Sequence, residues 1–239
     1  VKAVVVDEAD RMLGAEGLPE VRRLLREVPR ERQLVFVSAT EQPECAAVMA
    51  ELAPTLETLR TAAVPVNPRI DHLFLVCEER DKPDVLRKVL HATRAARALV
   101  FAHRNETAEV VAAKLAHHQV SVADLHGAYD KRARQQAMEA FRGGRARVMI
   151  ASDVAARGLD IPGVTHVINL DAPSQSKAYL HRVGRTARAG APGVAISLVT
   201  AAERRLIRRY QEELGITLRE VRTREGALVP VEPAPGSVI

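Results

Sequence analysis

The chain has 239 residues, of which 47% are hydrophobic and 27% charged, a composition typical of a soluble globular protein; no apolar run is long enough to cross a bilayer, so membrane-spanning functions are excluded. Its two cysteines, Cys45 and Cys77, lie far apart in sequence, which excludes a disulfide framework and a cysteine zinc site and predicts a cytoplasmic protein. The net charge of +5 fits either an Arg-rich solvated surface or a nucleic-acid partner. Because only 3% of the residues are aromatic and there is no Trp, such a partner would be bound through its phosphates and not by base stacking.

The first block of the sequence, 1–59, is predicted to contain two buried strands separated by a helix. In chain order these are a strand over 2–6, a helix over 19–28 and a strand over 34–37. Near-continuous apolar strands that alternate with helices are typical of a parallel sheet. Pro65 and Pro68 would break any helix, so we interpret 60–70 as a linker.

The second block, 71–214, is predicted to be a complete α/β domain, a doubly wound parallel sheet with helices on both faces. Its predicted strands cover 98–101, 120–125, 147–150, 166–170 and 194–199, and its predicted helices cover 82–93, 106–117, 132–141, 175–183 and 201–214. Thr200 and Glu203 have the spacing of a capping box at the start of the last helix. The segment 215–239 carries three prolines and is interpreted as an extended C-terminal tail.

Polar residues follow the predicted strands, at the edge where ligands of parallel sheets bind. After the first strand, Asp7 could hold Mg²⁺ on a polyphosphate and Glu8 could orient a water, although an acidic pair also suits the first turn of a helix. Arg185 and Arg188 are spaced i and i+3, so on a helical turn both would point the same way and could bind a polyphosphate. A basic surface helix is the alternative for that pair.

Four segments taken in order resemble the DEAD-box RNA helicases. They read DEAD at 7–10, SAT at 38–40, ASDVAARGLD at 151–160 and HRVGRTARAG at 181–190. The resemblance extends from about residue 4 to about residue 214. It implies a RecA-like fold for the second block, a partial RecA-like domain before it, ATP and Mg²⁺ as cofactors, and single-stranded RNA as the partner.

The resemblance also implies a role for each site residue. Asp7 would coordinate Mg²⁺ and Glu8 would be the general base, while Arg185 and Arg188 would be arginine fingers on the γ-phosphate. The remaining implied residues couple ATP to RNA (Asp10, Ser38, Thr40, His181), bind ATP (Gly158, Asp160) or bind RNA (Arg104, Gly127, Arg134, Ser152, Asp153). RNA would be recognised by its backbone and 2′-hydroxyls, not by base identity.

Several positions depart from the pattern of that family. Ala187 stands where Gly is usual, which is tolerable in a helical backbone and harmful where φ must be positive. Lys131 replaces Gln, Arg104-Asn105 replaces Thr-Lys, and Ala128 replaces an acidic residue. Each change weakens one RNA-contact assignment.

No Gly-x-x-x-x-Gly-Lys-[Ser/Thr] phosphate loop occurs in the sequence. We therefore expect a C-terminal part of a helicase that is inactive alone, and whose partner is the N-terminal half. Unpaired strand edges in 1–59 should leave that block poorly packed or buried against another chain, by self-association for example. A non-catalytic RNA- or partner-binding module and a related superfamily 2 DNA helicase are the alternatives; Asp10 and His181-Arg182 favour the RNA-acting branch by resemblance.

Overall fold

A computed structural model describes residues 1–38, 43–60, 66–125, 130–156 and 161–232. The chain divides into two compact units, unit 1 (Val1–Pro65) and unit 2 (Val66–Ile239), with the boundary inside the predicted linker. Four of the predicted site residues lie outside the described residues: Thr40, Gly127, Gly158 and Asp160. Within the described ranges, no helix is long and apolar enough to cross a membrane.

Unit 1 is a two-stranded parallel sheet covered by helices. Its elements are β1 (Ala3–Val6), α1 (Ala9–Met12), α2 (Leu18–Glu27), β2 (Gln33–Phe36) and α3 (Pro43–Leu52). β1 and β2 pair in register from Ala3 opposite Gln33 to Val6 opposite Phe36. A small core forms where the strand and helices meet, from Val6, Ala9, Leu13, Val21, Leu25 and Cys45. The two predicted strands and the predicted helix are confirmed to within one residue at each end.

Unit 1 also exposes apolar side chains that its own core does not cover. Val5 on β1 is 62% exposed, Leu24 on α2 is 52% exposed and Leu59 is 94% exposed. The predicted burial of this block against another chain stays a prediction.

Unit 2 is built on one eight-stranded sheet with the order β10-β9-β3-β8-β7-β4-β6-β5. Every neighbouring pair is parallel except β9 and β10. The strands are β3 (Ile70–Val76), β4 (Ala98–Phe101), β5 (Val122–Asp124), β6 (Val148–Ala151), β7 (His166–Asn169), β8 (Gly193–Val199), β9 (Arg219–Arg224) and β10 (Ala227–Pro230). The predicted α/β class with a mostly parallel sheet is confirmed.

Helices connect the strands of unit 2. They are α4 (Lys82–Ala92), α5 (Asn105–His117), α6 (Lys131–Arg142), α7 (Asp153–Ala156), α8 (Ser176–Val183) and α9 (Arg204–Leu214). The central strands β4, β6 and β7 are buried along their whole length, as expected of strands covered on both faces. The predicted capping box is confirmed, since the Glu203 carboxylate accepts from the Thr200 backbone N–H at 2.8 Å.

Two parts of unit 2 differ from the sequence-based expectation. β3 begins at Ile70, the last residue of the predicted linker, and was not predicted as a strand. The tail predicted from Gly215 is wrong over 219–230, where β9 and β10 form a hairpin. Its two turn residues, Glu225 (φ 50°) and Gly226 (φ 77°), both have positive φ, as tight hairpin turns require.

Candidate functional site

The acidic segment of unit 1 is held at the carboxyl end of β1 by the end of β2. Val37 donates its N–H to the Val6 carbonyl at 2.9 Å and accepts the Ala9 N–H at 2.9 Å. Asp7 and Glu8 lie in the turn between these two bonds. Because β2 continues directly into Ser38, the pairing brings that residue to the same edge of the sheet.

Glu8 adopts a left-handed backbone conformation with φ 51° and ψ 44°, which is uncommon for a residue other than glycine. Its N–H donates to the Asp7 carboxylate at 2.8 Å, and its side chain lies 3.6 Å from Arg11. Such conformations cost about 1–2 kcal/mol and concentrate at functional sites. Asp7 is exposed and Glu8 is half-buried.

Asp10 lies behind this turn and is only 5% exposed. Its backbone carbonyl accepts from the Cys45 thiol at 3.2 Å, which ties the start of α1 to α3. Unit 1 therefore brings Asp7, Glu8, Asp10 and Ser38 to one edge.

The Asp7 carboxylate is chemically suited to Mg²⁺. Magnesium prefers oxygen ligands, keeps several waters, and is commonly bound through one or two carboxylates and the phosphates of its substrate. Within the described residues, no group of three or more His, Cys, Asp or Glu side chains could hold a metal ion. An exposed carboxylate that accepts the Glu8 N–H fits a magnesium ion that keeps several of its waters.

In unit 2, the buried guanidinium of Arg182 joins the carboxyl ends of three strands. Its side chain is 1% exposed and forms a forked pair with the Asp153 carboxylate at 2.7 and 2.8 Å. It also donates to the Asn169 side chain at 3.1 Å and to the Asp171 carbonyl at 2.7 Å. Its guanidinium carbon lies 4.9 Å from the centre of the Phe101 ring. The ends of β4, β6 and β7 are therefore fixed to α8 by one side chain.

Sequence reasoning missed Arg182 as a site residue. The signal was the spacing of α8, because Tyr179, Arg182 and Val183 all lie on its buried face at i, i+3 and i+4. A charged residue on such a face is buried only with partners. An arginine among apolar positions thus indicated a buried ion pair.

A second buried cation, Lys82, contacts three carboxylates, which follow β3, β7 and β8. Its ammonium lies 2.8 Å from Glu79, 3.6 Å from Asp171 and 3.7 Å from Glu203, and its side chain is 1% exposed. Burial alone would lower the pKa of Lys82, but the hydrogen bond to Glu79 and the charges of Glu203 and Asp171 outweigh it and raise the pKa above its ordinary value. The ammonium is therefore fully charged at neutral pH.

The described RNA-binding candidates lie along this edge. Arg134 on α6 donates to the Ala155 carbonyl at 2.7 Å, and Ser152 accepts the Ala155 N–H at 3.2 Å, so both meet at α7. Arg104 is exposed immediately before α5, at the end of the neighbouring strand. Asp153 forms an ion pair with the buried Arg182.

The basic segment after α8 does not form the helical turn expected for Arg185 and Arg188. α8 ends at Val183, before either arginine, and Ala187 between them has φ 55°, so the two arginines do not share a helical turn. Arg188 is exposed and donates to the Gly184 carbonyl at 3.1 Å, while Arg185 is half-buried. His181 is exposed on the last turn of α8. Ala187 is in the conformation for which the usual glycine is suited.

Two family models match the chain: "DEAD/DEAH box helicase" over residues 1–48 and "Helicase conserved C-terminal domain" over residues 81–190. The DEAD-box ATP-dependent RNA helicase CshC of Bacillus cereus is 33% identical over 98% of this chain and 60% of its own length. The probable ATP-dependent RNA helicase YfmL of Bacillus subtilis is 36% identical over 92% of this chain and 58% of its own length. This chain thus spans about 60% of the length of these curated relatives.

Solved structures agree with these matches. S. cerevisiae Dbp5 bound to RNA and ADP BeF3 superposes with a TM-score of 0.83, at 34% identity, over 93% of this chain and 60% of that one. The E. coli DEAD-box protein SrmB, bound to the regulator of ribonuclease activity A, superposes with a TM-score of 0.60 at 32% identity. That match covers 72% of this chain and 100% of the SrmB chain.

Proposed function

Because the chain belongs to the DEAD-box family of RNA helicases, we propose that it is the part of an ATP-dependent RNA helicase that carries the second RecA-like domain and the end of the first. We assign unit 1 to the end of the first domain and unit 2 to the second. The observation that supports this best is that site residues in both units follow the carboxyl ends of parallel strands: Asp7, Glu8 and Ser38 in unit 1, and Arg104, Ser152 and Asp153 in unit 2.

The nucleotide chemistry is assigned to Asp7, Glu8, Arg185 and Arg188. Asp7 would hold Mg²⁺, which when bound neutralises charge on the β- and γ-phosphates. Glu8 would accept the proton of the attacking water, a role that its half-buried carboxylate and constrained backbone support. Arg185 and Arg188 would stabilise charge on the transferred phosphoryl group.

RNA would bind across the edge that Arg182 organises. Arg104 is exposed and would contact a phosphate. Ser152 and Arg134 both bond to the backbone of Ala155, which places them together where β6 ends and α7 begins. Contacts to phosphates and 2′-hydroxyls position an RNA strand without reading its sequence. Asp10, Ser38 and His181 would couple ATP to RNA.

Phosphate release from ATP tests the proposal. The 239-residue chain lacks a phosphate loop, so we expect no turnover with or without single-stranded RNA. A version preceded by the N-terminal half of a relative such as CshC should show RNA-stimulated turnover that Glu8→Gln abolishes. Turnover by the 239-residue chain, lost in Glu8→Gln, would contradict this account of the phosphate site.

A non-catalytic RNA-binding module is the second candidate, and the absent phosphate loop favours it for this chain in isolation. Such a module would bind RNA with strong salt dependence and no response to ATP. ATP-dependent tightening in the extended version would distinguish the helicase from it.

We further propose that the exposed apolar residues of unit 1 mediate association, either with the N-terminal half or with a second copy. Replacing Leu24 by Gln should then lower the apparent mass in sedimentation if copies associate.

The two free cysteines, Cys45 and Cys77, support a cytoplasmic location.

A further inference from the structure

Two buried cations, Lys82 and Arg182, contact the same residue, Asp171, at the carboxyl edge of unit 2. Asp171 directs one carboxylate oxygen towards Lys82 at 3.6 Å and accepts the backbone N–H of His103 on the other at 2.7 Å. Its backbone carbonyl accepts from Arg182 at 2.7 Å. Asp171, which follows β7, therefore connects the two cations and the loop that follows β4.

We propose that Lys82 is a positioning residue for RNA binding, acting through Asp171 to fix the backbone of His103 and thereby the exposed Arg104. This inference rests on the proposed RNA-binding role of Arg104. Lys82 is 1% exposed, so it does not contact RNA itself.

The geometry explains why a cation is required at this place. Asp171 is 14% exposed and lies on the same ammonium as Glu79 and Glu203, so three carboxylates converge on Lys82. Without the positive charge, the carboxylates would repel one another and Asp171 would turn outward or take up a proton. Either change removes or weakens the acceptor of the His103 N–H, which is a charge-assisted hydrogen bond.

The same ammonium also reaches the loop after β8. Glu203 accepts the Thr200 N–H at 2.8 Å as part of the capping box, and the Glu203 carboxylate is 3.7 Å from Lys82. Together with Arg182, Lys82 ties the ends of five adjacent strands: β3, β8, β7, β4 and β6. Loss of the Lys82 ammonium would therefore change the position of the carboxyl edge of unit 2, where Arg104 lies, through hydrogen-bonded groups and ion pairs.

The first measurement is amide hydrogen exchange at His103 in the 239-residue chain and in Lys82→Met. We expect the His103 amide to lose protection by about tenfold in Lys82→Met, which is the loss of one charge-assisted hydrogen bond. Lys88→Met is the matched control, because Lys88 is exposed on the same helix and its loss changes the net charge equally. Unchanged protection of His103 in a folded Lys82→Met would overturn the proposal.

The second measurement is the affinity of the same proteins for a fluorescent single-stranded RNA, well below the unfolding temperature. Lys82→Met should bind about tenfold more weakly than wild type, and Lys88→Met should bind within about twofold. In an Arg104→Ala background, Lys82→Met should have no further effect, because both changes act through the same contact. Additive losses would mean that Lys82 does not act through Arg104.

Asp171→Asn keeps an acceptor for the His103 N–H but removes the charge that pairs with Lys82, so it serves if Lys82→Met does not fold. It should lower both His103 protection and RNA affinity by about threefold, and no change in either would contradict the proposal. If wild type does not bind RNA at all, the proposed function fails. The exchange measurement at His103 still decides whether Lys82 positions that loop.

Discussion

Replacing Arg182 by Met should strongly destabilise unit 2, because this side chain is buried and bonds to three residues at the ends of the central strands. The substitution keeps much of the side-chain volume and removes the forked pair to Asp153, together with the hydrogen bonds to Asn169 and the Asp171 carbonyl. The Asp153 carboxylate then lacks the guanidinium that it pairs with. Because methionine fills much of the same volume, the change in stability reports mainly the lost ion pair and hydrogen bonds, and not lost packing.

The expected loss can be estimated from the contacts. Breaking a buried ion pair by removing one partner costs about 3–5 kcal/mol. The Asp153 side chain is 33% exposed, so water can partly compensate its charge and the lower end of the range applies. We therefore expect a loss of about 3 kcal/mol, or roughly 6–12 °C in the melting temperature of a domain of this size. Arg182→Lys should recover little, because an ammonium cannot form the fork.

Urea unfolding followed by circular dichroism measures this loss. Arg208→Ala is the control, since Arg208 is exposed on α9 and its removal should change stability by less than about 0.5 kcal/mol. A loss below about 1 kcal/mol in Arg182→Met would refute the reasoning, because it would mean that the buried pair contributes no more than a surface pair.

The remaining predictions concern single groups in unit 2. Burial lowers the pKa of His72 to about 4, against a small opposing effect of Asp71, so the unfolded state binds more protons between pH 6.5 and 4. Stability should fall by about 2–3 kcal/mol as the pH is lowered through that window in urea unfolding, and a slope unchanged in His72→Gln would contradict this. Ala187→Gly should stay within about 1 kcal/mol of wild type, because relief of the left-handed backbone (φ 55°) offsets the loss of a buried methyl group. Ala187→Val should lose more than about 2 kcal/mol in the same assay, and equal stability of the two variants would argue against a left-handed Ala187. Burial raises the pKa of the Cys77 thiol to about 11, so a thiol reagent at pH 8 should label it at least about tenfold more slowly in the folded than in the unfolded protein.

Much of the fold could be predicted from hydrophobic periodicity. Amphipathic helices such as α6 and α9 and fully buried strands such as β4 have strong patterns, and the capping box at Thr200 marked a helix start. Two strands were missed for different reasons, since β3 is an apolar run and β9 is not. β3 follows Pro68 closely, and only Val221 of the strongly charged β9 is buried, because β9 lies towards the edge of the sheet.

The candidate site was predictable where residues follow strands, and less so where they interact through the fold. Asp7 and Glu8 follow β1 in the sequence, so their edge could be predicted, whereas the left-handed Glu8 could not. Lys82 and Arg182 are separated by one hundred positions and meet only because Asp171 follows β7, between β8 and β4 in the sheet. Such a network depends on strand order, which local patterns do not determine.

The central claim is that the carboxyl edge of unit 2 binds an RNA backbone. The most direct test is titration of the ¹⁵N-labelled chain with single-stranded RNA, and with DNA of the same sequence, followed by amide chemical shifts. We predict shifts concentrated at 103–105, 131–134 and 152–153, larger with RNA than with DNA because the 2′-hydroxyls contribute. No shifts at this edge at millimolar RNA, or equal shifts with DNA, would contradict the account.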